Sequence, residues 1–226
     1  MIHLSWQHRF FTALVRFGTS ILCKIDKADL AKVPDTGPLI AYANHIGSLE
    51  VPLVFSHLHP RAVTAMAKGE AWENPFYNWL FDVWKLIPVR RGEADIDAMR
   101  TSIKMTKEGY IFGISPEGTR SRDGKLIRAQ PGVVPIALKT GAPLIPIAHW
   151  GVEDFPQNIK RLRRTNFHIR VGKPFTLETN GERVNSRVRQ EMVDEIMVEL
   201  AKLMPEEYRG AYSDIEKTPK YIRYTE

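Results

Sequence analysis

His45 and Glu50 stand five residues apart, just after the apolar run Leu39 to Ala43. A histidine held by a carboxylate keeps one tautomer, and its other ring nitrogen is then free to take a proton. Help of this general-base kind is worth roughly 10²–10⁴-fold in rate. Within one continuous helix, a separation of five would put the two side chains on different faces. The pair therefore meets only if His45 precedes a helix whose first turn holds Glu50, so that the carboxylate reaches back. Taken alone, the two residues also read as a surface histidine near a helix start with a favourable first-turn acid.

A second group changes that balance. Ser115-Pro116-Glu117-Gly118-Thr119-Arg120-Ser121 follows another apolar run, Tyr110 to Ile114. Gly118 lets backbone approach a ligand closely. Thr119 and Ser121 offer hydroxyls, and Arg120 offers a planar fork matched to phosphate. Glu117 can hold Arg120 in place or accept from a sugar-like hydroxyl. A tight turn with a surface ion pair would explain the glycine but not this density of polar groups at a strand end. His57, His59 and Glu70 show no recognisable metal-ligand spacing, so no metal site is expected.

With both segments in view, the chain resembles the 1-acylglycerol-3-phosphate acyltransferase family of glycerolipid acyltransferases. His45-Ile46-Gly47-Ser48-Leu49-Glu50 is similar to its H-x-x-x-x-D motif, and Pro116-Glu117-Gly118-Thr119-Arg120-Ser121 to its F-P-E-G-T-R-S motif. Ile87-Pro88-Val89-Arg90-Arg91 resembles a third block, whose closing arginine falls on Arg91, and Leu144-Ile145-Pro146-Ile147-Ala148 a fourth. Lys68-Gly69-Glu70 is similar to a lysine-containing stretch between the first two. The blocks occur in the family's order, and the similarity covers roughly Pro38 to Pro174. Two positions depart from the pattern. Glu50 stands where the family mostly has Asp, which keeps the charge on a side chain one methylene longer. Ser115 replaces the usual Phe.

The resemblance implies transfer of a fatty acyl group from a thioester, on coenzyme A or acyl carrier protein, to a lysophospholipid hydroxyl. The first acceptor it points to is 1-acylglycerol-3-phosphate, giving phosphatidate. It assigns His45 as general base and Glu50 as its orienting partner. Arg120 with Glu117, Gly118 and Thr119 would bind the acceptor's phosphate or glycerol, Arg91 would add a phosphate contact, and Lys68 is a further candidate. No cofactor or metal is implied beyond the acyl thioester co-substrate. Another lysolipid acceptor, a thioesterase, and a basic membrane-binding member with weak catalysis are the other readings. A nucleic-acid partner is not expected.

These residues need a frame. Short apolar runs at Leu39–Ala43, Arg61–Ala67, Leu86–Val89, Tyr110–Ile114, Leu144–Ala148 and Phe167–Val171 read as strands. Helical patterns at Leu49–Leu58, Ala94–Lys107, Gly132–Thr140 and Val184–Met204 alternate with them. Ser48 is a plausible N-cap. This order predicts one α/β domain with a mixed, mostly parallel sheet flanked by helices, over about residues 31–205. The tail, 206–226, is polar and shows no clear element. Trp72 to Trp84 is rich in aromatics, with Phe76 and Leu80 favoured as core and the tryptophans undecided between core, acyl groove and membrane surface.

Residues 1–30 open with a helix carrying Trp6, Phe10, Leu14, Phe17 and Ile21 at steps of three or four. Its charges, Arg9, Arg16 and Lys24, are all positive, and no acid precedes Asp26. A basic amphipathic helix with Trp and Phe is similar to one lying in a bilayer interface; a helix packed on the domain is the alternative. Residues 158–173 hold six Lys or Arg and no acid, which suits lipid headgroups, the donor's phosphates, or a solvated loop. The whole chain has 226 residues, 32 Lys and Arg against 26 Asp and Glu, and a net charge of +6. Its one cysteine, Cys23, excludes an internal disulfide and a multi-cysteine metal site. No run of apolar residues is long enough for a clean membrane span, and small residues suited to signal cleavage are missing before Cys23. The expectation is a membrane-associated protein at the cytoplasmic face, with no exported precursor.

Overall fold

The computed structural model describes residues 2–47, 49–90 and 95–225, apart from the side chains at 71, 76 and 77. Helix α1 (Trp6–Leu22) leads into strand β1 (Cys23–Asp26), followed by β2 (Leu39–Ala43), α2 (Glu50–His57), β3 (Val63–Lys68), α3 (Pro75–Val83) and β4 (Ile87–Val89). Then come α4 (Ile96–Lys107), β5 (Ile111–Ile114), α5 (Val133–Thr140), β6 (Leu144–Trp150) and α6 (Phe155–Lys160). The chain closes with β7 (Thr165–Val171), β8 (Phe175–Leu177), α7 (Ser186–Ala201) and β9 (Ile222–Tyr224). Among the described residues the strands form one sheet in the order β1-β7-β6-β2-β5-β3-β4, with β8 joining β6 and β9 joining β8. The centre, from β6 to β4, is parallel, while β7 and β8 run antiparallel to β6. This is the mixed, mostly parallel α/β domain that the alternation of apolar runs and helices predicts.

Alternate side chains of each strand enter opposite cores. Ile40, Tyr42, Phe112 and Leu144 pack with α4, α5 and α7, including Val133, Ile136, Met192 and Ile196. Leu39, Ala41, Ile111, Ile145 and Phe167 face the other way and pack with Leu53 and Val54 of α2. Because both faces are covered, the central strands read as continuous apolar runs. The loops at the carboxyl ends of β2 and β5 therefore sit side by side on a rigid platform, fixed by the register Ala41↔Gly113. Gly113 allows α2 to lie close, since a Cβ there would stand 2.9 Å from the ring of Phe55.

Several local expectations need correction. The tail contains β9, which pairs Ile222 with Leu177, and both Tyr221 and Ile222 are buried. β1 and α6 are absent from the sequence reading. Ser48, the expected N-cap, lies outside the described residues, and α2 begins after Leu49 without a side-chain cap. In the aromatic stretch Trp84 is buried and donates to Thr12 Oγ1 at 3.4 Å, Trp79 stacks edge-on with Phe11, and Leu80 is only half-buried. The Phe76 side chain lies outside those described.

α1 lies outside the two cores and docks on α2, where the Arg16 guanidinium donates to the Ser56 carbonyl. It docks by its polar side: His8, Thr12 and Thr19 are buried. Trp6, Phe10, Leu14, Phe17 and Ile21 lie on the opposite stripe at 3.6 residues per turn and are each 51–73% exposed. A helix serving a water-soluble core would present the reverse. Among the described residues no helix is long and apolar enough to cross a membrane.

Candidate active site

His45 leaves the sheet two residues after β2, and Glu50 is the first residue of α2. Because the helix begins at Glu50, the histidine lies outside it and the carboxylate points back. His45 Nδ1 is 2.6 Å from Glu50 Oε1. An ionised carboxylate can only accept, so the proton in this contact belongs to Nδ1 and leaves Nε2 as the acceptor. The same oxygen accepts the backbone N–H of Gly47 at 3.0 Å and of Ile46 at 3.3 Å. Burial pushes the Glu50 carboxyl up, but the hydrogen bond from His45 outweighs it and holds the carboxyl below its ordinary value. The glutamate side chain is 2% exposed and that of His45 is 21% exposed, so the imidazole alone is open to a ligand.

The loop after β5 is stitched to the histidine. Glu117 Oε1 accepts from the His45 backbone N–H at 2.9 Å, and the Ser121 N–H donates to the His45 carbonyl at 2.7 Å. Glu117 Oε2 accepts from the Ile127 N–H at 3.0 Å. Glu117 thus has a different place from the one expected. It is buried, both oxygens hold backbone, and no contact among the described residues joins it to Arg120, so it shapes the loop instead of facing a ligand. Burial, set against those two N–H groups, pushes its carboxyl up to about 7. Gly118, Thr119 and Arg120 are exposed at the tip of this loop, next to Ser121 and therefore next to His45. Gly118 has φ of +67°, a conformation that favours glycine. Its N–H is taken by the Ser115 carbonyl at 3.1 Å, which removes it as a donor to a ligand.

The remaining expected residues sit at the same edge or beyond view. Lys68 ends β3, whose register Ala65↔Gly113 brings it to the level of the β5 loop; it is half-exposed and pairs with Glu70 at 3.3 Å. Arg91 lies outside the described residues. Its neighbour Arg90 donates its backbone N–H to Asp95 Oδ2 at 3.1 Å, and Asp95 also caps α4 through the Ala98 N–H at 3.0 Å. Among the described residues no three His, Cys, Asp or Glu side chains gather in a group that could hold a metal.

Two residues were missed by sequence reasoning. Asn44 Nδ2 donates to the His149 carbonyl at 2.8 Å, the His149 N–H donates to Asn44 Oδ1 at 3.0 Å, and His149 Nε2 donates to the Asn44 carbonyl at 2.8 Å. This clamp fixes the peptide unit that carries His45. His149 is wholly buried and stacks on Phe167, and burial holds its pKa down. The available signal was a polar residue at the end of an otherwise apolar strand, Leu144 to Trp150.

Fold and site together define an α/β protein with an acid-steered histidine, beside an arginine loop, at the carboxyl edge of its sheet. The chain belongs to the acyltransferase family: the family model described as Acyltransferase matches residues 24–150. It is 31% identical over 125 residues to a 1-acyl-sn-glycerol-3-phosphate acyltransferase of Borreliella burgdorferi, covering 54% of this chain and 50% of that protein. It is 31% identical over 141 residues to the Bacillus subtilis protein of the same description, covering 62% and 67%. An N-acylphosphatidylethanolamine synthase of Arabidopsis thaliana is 27% identical over 172 residues, covering 64% and 58%. Among the first four such relatives the chain spans between 36% and 67% of their length. The crystal structure of the 1-acyl-sn-glycerophosphate acyltransferase from Thermotoga maritima shares the fold, with a TM-score of 0.65 at 22% identity over 87% of this chain and 79% of that one.

Proposed function

We propose that this protein moves a fatty acyl group from an acyl thioester to the free hydroxyl of a lysophospholipid, with 1-acylglycerol-3-phosphate as first acceptor and phosphatidate as product. The observation that carries the reading is the 2.6 Å His45–Glu50 contact, in a histidine whose own peptide is bonded on both sides to the arginine loop. Nε2 of His45 takes the hydroxyl proton as the acceptor oxygen attacks the thioester carbonyl. Glu50 stabilises the imidazolium that forms. The tetrahedral intermediate then expels the thiolate, which recovers the proton from His45, so an ester C–O bond replaces the C–S bond. Arg120 holds the acceptor phosphate, and Arg91 and Lys68 are its candidate companions. Coenzyme A and acyl carrier protein both fit as thioester carriers.

The outward apolar stripe of α1 supports a membrane surface as partner, since the acceptor and product are themselves bilayer lipids. The cytoplasmic face is the proposed location. An acceptor other than lysophosphatidate is the second reading, favoured by the likeness to an N-acylphosphatidylethanolamine synthase. The test is thiol release with lipid product from acyl thioester and lysophosphatidate, with other lysolipids as competitors. His45→Ala should lose roughly 10²–10⁴-fold. Equal activity of that variant would remove the base assignment, and thiol release without acceptor would make the protein a thioesterase.

A further inference from the structure

The connection between β6 and β7 ends in a tight turn after α6. Arg161 and Arg163 both donate backbone N–H to the Asn158 carbonyl, at 3.0 and 2.9 Å, and Leu162 donates to Ile159 at 3.2 Å. The turn puts Leu162 at φ of +54°, a left-handed conformation uncommon for a bulky residue, and leaves it 96% exposed. Glycine or asparagine would suit that backbone and water better. Ile159, 43% exposed, stands beside it. Lys160, Arg161 and Arg163 surround this apolar apex; all are exposed, and among the described residues none makes an ion pair.

Two observations place the tip. Arg164 at its base donates to the carbonyls of Ser20 and Cys23, at 2.7 and 2.5 Å, tying the turn to the end of α1. The register Ala43↔Ile147 between parallel β2 and β6 puts the end of β6 at the same sheet edge as His45, and antiparallel β7 starts from that edge. The turn therefore projects from the edge that carries the candidate active site, next to the outward stripe of α1.

We infer that the Ile159–Arg163 turn is a second bilayer contact, in which Leu162 and Ile159 enter the acyl region while Lys160, Arg161 and Arg163 meet anionic headgroups. The inference rests on the membrane reading of α1. A loop built to hold a free phosphate converges its donors on one point. Here three exposed cations flank an exposed apolar apex and share no partner among the described residues, which suits an anionic surface. Two contacts at separate points would also fix which edge of the sheet faces the lipid, so that His45 meets acceptors still embedded in the bilayer.

Single cysteines at Leu162→Cys and, separately, Phe17→Cys can carry an environment-sensitive nitrobenzoxadiazole label, because Cys23 is 1% exposed. With phosphatidylcholine/phosphatidylglycerol vesicles, both labels should shift to the blue. A shift at 17 without one at 162 overturns the inference and leaves α1 as the membrane element; no shift at either removes both. Lys160→Glu, Arg161→Glu and Arg163→Glu should each weaken vesicle binding by about fivefold or more. If the triple variant binds vesicles normally but shows a raised KM for acyl-coenzyme A, the cations serve the donor's phosphates and the inference falls. Leu162→Asp should lower vesicle binding while leaving turnover of a short-chain, water-soluble acceptor unchanged, which keeps misfolding apart from loss of lipid contact.

Discussion

Asn44 and His149, 105 residues apart in the chain, exchange three hydrogen bonds across the ends of β2 and β6. They fix the backbone from which His45 departs, so their effect on catalysis passes through position and not through contact with substrate. Asn44→Ala removes two of the three bonds and strands the His149 backbone groups in a dry interior. The expected loss of stability is about 1–3 kcal/mol, read by urea denaturation. Turnover should fall by roughly tenfold, by analogy with other misplacements of a base, with KM for the acceptor unchanged. A rise in KM with normal kcat would mean that the clamp shapes the binding loop instead.

Glu50 tests whether the extra methylene belongs to the geometry. Its Oε1 receives His45, Gly47 and Ile46 together, and a Cβ at Gly47 would come within 3.2 Å of Oε2. Glu50→Asp draws the carboxylate back by about 1.5 Å, one C–C bond, and should lower kcat about tenfold even though it restores the commoner family residue. Glu50→Gln keeps the length but not the charge that stabilises the imidazolium, and should lower kcat by roughly 10²-fold or more. Because the folded carboxyl lies below its ordinary value, its stabilisation is present above the ordinary carboxylate range and is lost as pH falls through the depressed value. The stability gap between wild type and Glu50→Gln should therefore be widest above the ordinary carboxylate range and close as pH falls, where wild type loses its advantage.

Much of this frame was legible in the sequence, and the reasons are local. β2, β5 and β6 as far as Ala148 are covered on both faces, so each appears as an apolar run set off by nearby Gly, Pro or Asn, or by His149 in β6. β1 is four residues continuing from a helix without a break, and β9 is three residues in a polar tail; both owe their form to pairing with a distant strand. The His45–Glu50 spacing was readable because it is short-range. Glu117 was not, because its partners are two backbone N–H groups that carry no residue identity. For α1, periodicity located the apolar stripe but left open which way it would face, and the buried His8, Thr12 and Thr19 settle that direction.

Glu117 should leave a signature of the opposite sign to that of Glu50. Its folded carboxyl is pushed up to about 7 from an ordinary 4.5. The folded state then holds a proton that the unfolded chain has released, so this contribution is fully present below the ordinary value and is lost as pH rises through about 7, roughly 3 kcal/mol in all. Glu117→Gln stays neutral throughout and should flatten that part of the stability profile. Denaturation at pH about 5 and about 8 checks it: wild type should weaken between the two, and the variant should change less. The variant still presents one acceptor for two N–H groups, so it should be less stable than wild type at the acid end.

Arg120 carries the claim about the acceptor. Its side chain is exposed and unpaired among the described residues, yet its neighbour Ser121 is bonded to the His45 carbonyl at 2.7 Å. An exposed arginine one residue from that bond, with no carboxylate partner among the described residues, is placed in the chain to grip an anion as a two-pronged donor. Arg120→Ala should raise KM for a phosphate-bearing lysolipid by roughly 10–100-fold, the value of a charge-assisted hydrogen-bonded pair. Arg120→Lys should recover only part of this, because an ammonium cannot make the paired contact. A neutral acceptor such as monoacylglycerol separates the alternatives in the same assay. If both variants lose as much activity toward it as toward lysophosphatidate, Arg120 supports the loop or the donor, and the acceptor phosphate is held elsewhere.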